Sequence, residues 1–313
     1  MSAPRLSVVI PTYNEEERLR QALTSLAAQE VPSGGAEIVV VDDATPHFNP
    51  AGLEELAHPL AFRLVQHPVN QGRSRSRNDG IAAARGEVIL FLDSDMTVEP
   101  CFLNAHAALH QDRDQAVGIG QVRFAQDIPS IPFTRYVETR GVHRLGLKPG
   151  QSVPFKCFAT GNASVHRRQL DQVGLFDDRF TAYGGEDLEL GYRLHLNKAS
   201  FHYLPDALSW HHHLRPLSQI YELMYTYGQQ GMPLLLEKHP ELESLLRVGF
   251  LRGSTPAVKR LLFKAALCKP VYYPLQFLTG LGFSMPDLVF DYLLWYNRTR
   301  GFIDAGQGRS NTG

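Results

Sequence analysis

Short apolar runs alternate with amphipathic stretches through the first part of the chain. Each run is about five residues long, which is typical of a buried strand. Between the runs, apolar residues such as Leu19, Ala22, Leu23 and Leu26 recur three and four positions apart, which predicts helices. Strands alternating with helices predict an α/β fold whose mostly parallel sheet is covered by helices on both faces. The predicted strands are 6–10, 37–41, 62–66, 88–92 and 116–120.

The pattern changes in the rest of the chain. Residues 127–154 show little periodicity, so we interpret them as a mobile or ligand-facing stretch. A helix is predicted from about Glu186, a strand at 201–205, and helices over 217–238. Residues 255–300 mix cationic and aromatic residues with apolar runs broken by prolines. This last part is interpreted as packed helices, and a segment lying on a membrane surface is the alternative.

Composition places the chain among globular proteins. Of its 313 residues, 43% are hydrophobic and 20% charged. Its 31 Lys and Arg nearly balance its 32 Asp and Glu, which argues against a general nucleic-acid binder. The three cysteines are far apart and match no zinc or disulfide spacing, which favours a reducing compartment. A signal peptide and a run of ~20 apolar residues are both missing from the sequence, so a cytoplasmic location is expected.

Two carboxylates follow the predicted strand at 88–92. Asp93 and Asp95 are separated only by Ser94. Ligands of open α/β sheets bind beyond the carboxyl ends of the strands, so both side chains are expected at that rim. Hard oxygen ligands at this spacing suit Mg²⁺ or Mn²⁺. A solvated turn or a helix N-cap is the alternative.

Polar groups also follow the second and third predicted strands. Asp42 and Asp43 could accept hydrogen bonds from a ribose or a base, or could bond their own backbone in a turn. Gly72 precedes a predicted helix that carries Arg73 and Arg77 one turn apart. A helix N-terminus with guanidinium groups suits phosphate, and a surface helix with solvated arginines is the alternative. The glycine-rich fingerprints of dinucleotide-binding and P-loop proteins are missing from the sequence.

Two later segments carry further candidates. Glu186 and Asp187 begin a predicted helix, where acidic residues are favoured by the helix dipole. The glycines just before them leave room for another molecule, so one of these carboxylates could be a general base. The second segment is 210–213, in which a histidine could complete a metal site with Asp95 and the tryptophan could pack on a sugar ring. A histidine-rich surface loop is the alternative.

Seven segments together resemble family-2 glycosyltransferases over about residues 6–215. Each is short, but their order and spacing are specific. The resemblance implies a GT-A fold, a nucleotide-sugar donor, a divalent metal ion and inversion at the anomeric carbon. The segments are "SVVIPTYNEEERL", "VVVDDAT", "NQGRSRSRNDG", "ILFLDSDM", "TGNASVHR", "GGEDLELGYRL" and "PDALSWHHH".

The resemblance also implies roles for individual residues. Asp187 would be the catalytic base, supported by Glu186, and the dipole of its helix would keep it ionised without a raised pKa. The metal, Mn²⁺ or Mg²⁺, would be bound by Asp93, Asp95 and His211, with the choice among histidines 211–213 left open. The nucleotide sugar would contact Pro11, Thr12, Tyr13, Glu15, Asp42, Asp43, Gly72, Arg77, Asp93 and Ser94. The acceptor would contact Gly161, Asn162, Gly184, Gly185 and Trp210.

We therefore expect an inverting, metal-dependent glycosyltransferase of the hexosyltransferase type. It would move a sugar from a nucleotide-diphosphate donor, with UDP as the expected nucleotide, to a hydroxyl of a glycan or lipid-linked acceptor in polysaccharide or cell-envelope synthesis. Residues 1–215 would form the catalytic domain, with a nucleotide-sugar half at 1–125 and an acceptor half at 126–215. Residues 216–313 would form a helical extension that could contact a membrane peripherally.

Two alternatives stay open. A sugar nucleotidyltransferase would share the α/β sheet and a carboxylate-bound metal, but it favours a basic, glycine-rich loop where this chain has the acidic "PTYNEEE". A non-catalytic module that binds sugar nucleotides or polysaccharide is the second alternative. The complete set Asp93, Asp95 and Asp187 argues against such a module.

Overall fold

The computed structural model describes residues 4–142, 145–146, 151–252 and 255–310. The chain forms two compact units. The described residues of the first unit belong to Met1–Ile128, Glu138–Thr181 and Glu186–His213. Those of the second unit belong to Pro129–Val137, Ala182–Gly185 and Leu214–Gly313.

Strands and helices alternate through most of the first two thirds of the chain. The elements up to residue 213 are β1 Leu6–Thr12, α1 Glu16–Ala27, β2 Ala36–Asp42, α2 Leu53–Ala57, β3 Ala61–Gln66, α3 Arg73–Ala83, β4 Val88–Leu92, β5 Met96–Val98, α4 Phe102–Leu109, β6 Ala116–Phe124, α5 Pro132–Glu138, a 3₁₀ turn Phe155–Cys157, β7 Asn162–His166, α6 Arg167–Val173, α7 Glu186–Leu196 and β8 Ser200–His211. Helices then follow: α8 Leu217–Thr226, a π turn Tyr227–Gly231, α9 Met232–Lys238, a 3₁₀ turn Pro240–Leu242, α10 Glu243–Leu246, α11 Gly249–Arg252, α12 Ala257–Ala266, α13 Lys269–Gly280 and α14 Asp287–Ser310.

All eight named strands form one sheet in the order β3-β2-β1-β4-β7-β6-β8-β5. The pairs β3–β2, β2–β1, β1–β4 and β6–β8 are parallel, whereas β7 is antiparallel to both of its neighbours and β5 is antiparallel to β8. Six of the eight strands therefore run in one direction. The predicted mostly parallel sheet is confirmed.

The apolar pattern did not predict β5 or β7. β5 is only three residues long. β7 is buried although it contains Asn162 and Ser164, because their polar atoms bond to other buried groups, His106 among them. The predicted strand at 201–205 extends to His211 in β8, through a register shift opposite Gly120 and Gln121. That extension is what carries the chain past Asp95.

The core of the first unit lies on both faces of the sheet because successive strand residues point in opposite directions. Val8 and Ile10 of β1 pack in one cluster with Leu19 and Leu23 of α1. Val9 packs on the other face in a cluster that includes residues of α3 and α7. Each fully buried Leu, Ile or Val contributes roughly 1.5–3 kcal/mol, so these two layers hold the strand ends in place. The helices predicted on both faces are confirmed.

The second unit is helical, so the predicted helical C-terminal region is also confirmed. Its core includes Tyr221, Phe250, Tyr272 and Trp295. Among the described residues, no helix is both long enough and apolar enough to cross a membrane. The predicted mobile stretch 127–154 contains α5, and residues 143–144 and 147–150 of it lie outside the described residues.

Candidate active site

The turn between β4 and β5 presents both carboxylates of the Asp-Ser-Asp sequence. The backbone N–H of Met96 donates to the carbonyl of Asp93 at 3.3 Å, which reverses the chain after β4. β5 then pairs with β8, with Met96 opposite His211. This register brings Nε2 of His211 to 3.1 Å from Oδ2 of Asp95.

Arg77 of α3 joins this turn to the start of α7. Its side chain is only 4% exposed, and its Nη2 lies 3.4 Å from Oδ1 of Asp93. Its Nη1 lies 3.6 Å from Glu186 Oε1 and 3.9 Å from Asp187 Oδ1. Burial opposes the positive charge, but the three carboxylates outweigh burial and raise the pKa of Arg77. One guanidinium therefore neutralises acidic groups from two distant parts of the chain.

Asp187 is the accessible member of its acidic pair. Its side chain is 29% exposed, whereas that of Glu186 is 4% exposed. The hydroxyl of Thr160 donates to Asp187 Oδ1 at 2.8 Å, and the backbone N–H of Thr160 donates to Oδ2 at 3.2 Å. Asp187 is thus oriented by Thr160 while part of its carboxylate can still meet a substrate.

The pKa of Asp187 corrects one expectation from the sequence. Burial, with a further contribution from the neighbouring Glu186, raises this pKa to about 6, although Arg77 and Thr160 act in the opposite direction. The dipole at the start of α7 therefore does not keep the pKa low, because burial and the charge of the adjacent Glu186 outweigh it. Near neutral pH the carboxylate is still mostly ionised, as a general base must be.

Asp95 also belongs to a cluster of possible metal ligands, together with Glu15 and His213. One ligand atom from each of Glu15, Asp95 and His213 lies within 4.8 Å of the others. Nδ1 of His213 is 3.4 Å from Glu15 Oε1 and 3.7 Å from Asp95 Oδ2. Carboxylate oxygens and an imidazole nitrogen suit Mn²⁺, and the oxygens suit Mg²⁺ as well. This group, Glu15–Asp95–His213, is the candidate metal site.

The structure separates the three consecutive histidines. His211 and His213 are stacked, with ring centroids 6.5 Å apart, and both lie beside Asp95. His212 points the other way, and its Nε2 is 2.8 Å from Oγ1 of Thr97. Asp93, predicted as a metal ligand, pairs with Arg77, and its role as a ligand stays a prediction. Of the three predicted ligands, Asp95 belongs to the candidate metal site. His211 is not one of the three residues of that site, but it contacts Asp95.

Asp43 has a different role from the predicted one. Its Oδ1 accepts from the N–H of Gln71 at 2.8 Å and lies 2.7 Å from Nδ1 of His67. Its Oδ2 accepts from the N–H of Gly72 at 2.8 Å. The buried carboxylate therefore anchors the loop before α3, and the predicted nucleotide contact is replaced by this internal one. Gly72 has φ +83° and a Cβ there would lie 3.3 Å from the carbonyl of Thr181, so glycine suits this bend.

The other predicted nucleotide contacts lie at the ends of β1, β2 and β4. Pro11 and Thr12 close β1, and the exposed ring of Tyr13 follows them. Asp42 is buried, and its Oδ1 accepts from the N–H of Thr45 at 3.1 Å. Ser94 is buried in the turn between the two aspartates. These positions lie at the ends of the strands or directly after them.

Among the predicted acceptor contacts, Gly161 lies beside the carboxylate of Asp93. A Cβ at Gly161 would lie 3.1 Å from Asp93 Oδ2, so a side chain there would crowd this carboxylate. Trp210 lies on the face of β8 opposite to His211, and its Nε1 donates to Glu99 Oε1 at 2.6 Å. The alternation of the strand turns it away from Asp95, and its predicted contact with an acceptor stays a prediction.

Asn162 and the two glycines before α7 are also placed differently from the prediction. Asn162 is buried, and its Nδ2 donates to the carbonyls of Gln121 and Ala207, so its side chain ties strands together. That corrects its predicted contact with an acceptor. Gly184 and Gly185 belong to the second unit. A Cβ at Gly184 would lie 2.8 Å from the ring of Tyr227. The close approach that this glycine allows is therefore made by a side chain of the protein.

Two contributions were missed by sequence reasoning. Thr160 directly precedes Gly161, a predicted acceptor contact, so this position in the sequence could have indicated a role for its hydroxyl in the site. Glu15 was assigned to the nucleotide, and nothing in its spacing pointed to Asp95 or His213. That grouping depends on the pairing of β5 with β8.

Comparison with known proteins identifies the class. The profile of glycosyl transferase family 2 matches residues 7–170, slightly more than half of the chain, and the chain belongs to this family. A second profile, described as the N-terminal domain of galactosyltransferase, matches residues 141–215. The predicted membership in family 2 and the predicted GT-A fold are therefore confirmed.

Individual relatives are distant. YfnE of Bacillus subtilis (strain 168), named an uncharacterized glycosyltransferase, is 27% identical over 66% of this chain and 64% of its own length. Validoxylamine A glucosyltransferase of Streptomyces hygroscopicus subsp. limoneus is 29% identical over 61% of this chain and 48% of its own. The match thus spans less than two thirds of either relative.

Two solved structures share the fold. The mannosyltransferase PcManGT of Pyrobaculum calidifontis, in complex with GDP-Man and Mn²⁺, has a TM-score of 0.60 at 20% identity, over 98% of this chain and 87% of that one. S. aureus TarS 1–349, in complex with UDP-GlcNAc, has a TM-score of 0.57 at 20% identity, over 96% and 89%.

Proposed function

We propose that this protein is an inverting, metal-dependent glycosyltransferase that moves a sugar from a UDP-sugar to a hydroxyl group. The observation that carries the proposal is the position of Arg77 between Asp93 and Asp187. It joins the acidic turn that also bears Asp95 to the partly exposed carboxylate of Asp187. A single displacement needs these two functions, a cation for the leaving group and a base for the nucleophile, around one sugar.

Asp187 is the proposed base. Its ionised carboxylate would take the proton of the acceptor hydroxyl while the oxygen of that hydroxyl bonds to the anomeric carbon. The bond from that carbon to the diphosphate oxygen breaks, its electron pair leaves with the nucleotide, and the configuration inverts. Thr160 orients the carboxylate through two hydrogen bonds, and the buried Glu186 supports it by sharing the charge of Arg77.

Glu15, Asp95 and His213 would hold the divalent ion, Mn²⁺ or Mg²⁺, and its chemistry would be to neutralise charge on the departing diphosphate. His211 would orient Asp95 through the contact at 3.1 Å. Asp93, balanced by Arg77, would be left for the ribose. The fit rests on the donor atoms, since two carboxylates and an imidazole cluster on one rim.

The donor is proposed to be a UDP-sugar because TarS, whose structure is in complex with UDP-GlcNAc, shares the fold. GDP-Man in the PcManGT complex is the competing donor. Tyr13, with its exposed ring, and Asp42 at the end of β2 are the proposed contacts to the base. The acceptor is proposed to be a glycan or a lipid-linked sugar, in polysaccharide or cell-envelope synthesis.

The test uses hydrolysis of candidate donors, in which water replaces the acceptor. Thermal-shift measurements with UDP- and GDP-sugars, with and without Mn²⁺, would identify the donor that binds. Asp187→Asn should bind that donor normally but lose about 10²–10⁴-fold in turnover, the usual contribution of a general base. Asp171→Asn, at an exposed position of α6, is the matched control.

Three results would contradict the proposal. Near-normal turnover by Asp187→Asn would remove its role as base. Retention of the donor's anomeric configuration in the released sugar, followed by NMR, would exclude inversion. Pyrophosphate release from a nucleoside triphosphate would favour the nucleotidyltransferase, and tight donor binding without any turnover would favour the non-catalytic module.

A further inference from the structure

The second unit exposes an unusual amount of apolar surface in one part of its chain. Seventeen large apolar side chains are exposed in the described part of the protein, and nine of them fall within residues 258–288. Their exposed fractions range from 44% to 75%. A large exposed apolar area of this kind usually marks a surface that binds a partner or a membrane.

In α12 the exposed apolar residues form one stripe. Val258, Leu261, Leu262 and Ala265 recur at positions i, i+3, i+4 and i+7, so they share one face of the helix. The opposite face of α12 packs on the core of the second unit. The ring centroid of Phe263 lies 5.0 Å from that of Phe250 and 5.7 Å from that of Trp295. The stripe is therefore not needed for the core of the unit.

α13 repeats the arrangement. Pro270, Tyr273, Pro274 and Phe277 follow the same spacing and are all exposed. The inner face carries Tyr272, whose ring stacks on Tyr296 of α14 at a centroid distance of 3.9 Å. Two consecutive helices thus pack by one face and present an apolar stripe on the other.

The charges around these stripes indicate the partner. Residues 258–288 contain Lys259, Arg260, Lys264 and Lys269 against one acidic residue, Asp287 at the start of α14, so α12 and α13 themselves carry no Asp or Glu. On the helical wheel of α12, Lys259 and Lys264 flank the apolar stripe on its two sides, and both are exposed. A second copy of the same surface would bring like charges together, whereas the head groups of anionic lipids would complement them.

We propose that α12 and α13 form an interfacial membrane-binding surface that recognises anionic lipid. The apolar stripes would enter the boundary between head groups and acyl chains while the lysines contact lipid phosphates. The surface would hold the enzyme at a bilayer by contacts independent of Asp187 and of the candidate metal site. Failure of the membrane-binding proposal can therefore be distinguished from failure of the catalytic proposal.

The experiment is co-sedimentation of the full chain with phosphatidylglycerol-containing vesicles and with purely phosphatidylcholine vesicles at low salt. The protein should bind the anionic vesicles and be released as salt rises. Lys259→Gln with Lys264→Gln should weaken binding about 25-fold, or about fivefold per cation, which corresponds to about 1 kcal/mol each. Leu261→Gln with Phe277→Gln should weaken it at least about tenfold.

Matched controls lie on exposed positions of the first unit. Arg113→Gln and Val69→Gln should bind vesicles as the unchanged protein does, and all variants should keep its Tm and its donor hydrolysis. The proposal would be overturned if the variants of α12 and α13 bound anionic vesicles as well as the controls do. Failure of the unchanged protein to bind anionic vesicles would also overturn it. A dimer that Leu261→Gln with Phe277→Gln converts to a monomer, without vesicle binding, would instead assign the surface to self-association.

Discussion

The hydroxyl of Thr160 donates a hydrogen bond of 2.8 Å to Oδ1 of Asp187. Burial is the main reason that the pKa of Asp187 is raised to about 6, and this bond acts in the opposite direction because it stabilises the ionised carboxylate. Thr160→Val removes the bond, so the pKa of Asp187 should rise. The acidic limb of kcat/KM against pH should move upward with it. Thr160→Ser keeps the hydroxyl and should leave the acidic limb of the profile in place. An unchanged acidic limb in Thr160→Val would show that Thr160 does not tune the pKa of Asp187.

The unchanged enzyme should itself lose activity in mild acid. A general base must be ionised, and protonation of Asp187 becomes substantial as the pH falls through about 6. We expect kcat/KM for donor hydrolysis to be flat above about pH 7 and to fall about tenfold for each unit well below pH 6. A profile that stays flat down to about pH 5 would show that this carboxylate does not accept the proton.

The three consecutive histidines should differ in their effect on metal dependence. His213→Ala removes a proposed ligand and should raise the Mn²⁺ concentration for half-maximal hydrolysis by at least about tenfold. His211→Ala removes the contact that orients Asp95, so a smaller increase is expected. His212→Ala is the internal control, because this side chain bonds Thr97 on the other face. A metal titration of the three variants checks this order, and a larger effect of His212 than of His213 would refute it.

Arg77 should be important for stability as well as for the site. Arg77→Met leaves Asp93, Glu186 and Asp187 without their shared counter-charge, which should lower the free energy of unfolding by about 3 kcal/mol. Arg73→Met is the matched control, since Arg73 is 40% exposed and lies 3.7 Å from Glu186, and it should cost less than about 1 kcal/mol. Urea denaturation measures both. Equal effects of the two substitutions would mean that burial of the ion pair does not matter here.

Much of the fold followed from local pattern. Apolar runs such as 37–41 and 88–92 predicted buried parallel strands because both faces of such strands are covered. Since ligands of these sheets bind beyond the carboxyl strand ends, the pattern alone was enough to place Asp42 and Asp93 at one rim. The pattern did not predict β7, because its buried polar side chains, Asn162 and Ser164, form hydrogen bonds with partners far away in sequence.

The sequence by itself determined the α/β class, the polar strand ends and the family. Only the tertiary structure decided that Asp43 turns inward to anchor a loop, and that Glu15 and His213, but not His212, gather around Asp95. The reason is physical: which face a strand residue occupies depends on pairing register, and a shift of one residue reverses it. That register is set between β5 and β8, about a hundred residues apart, where local periodicity carries no information.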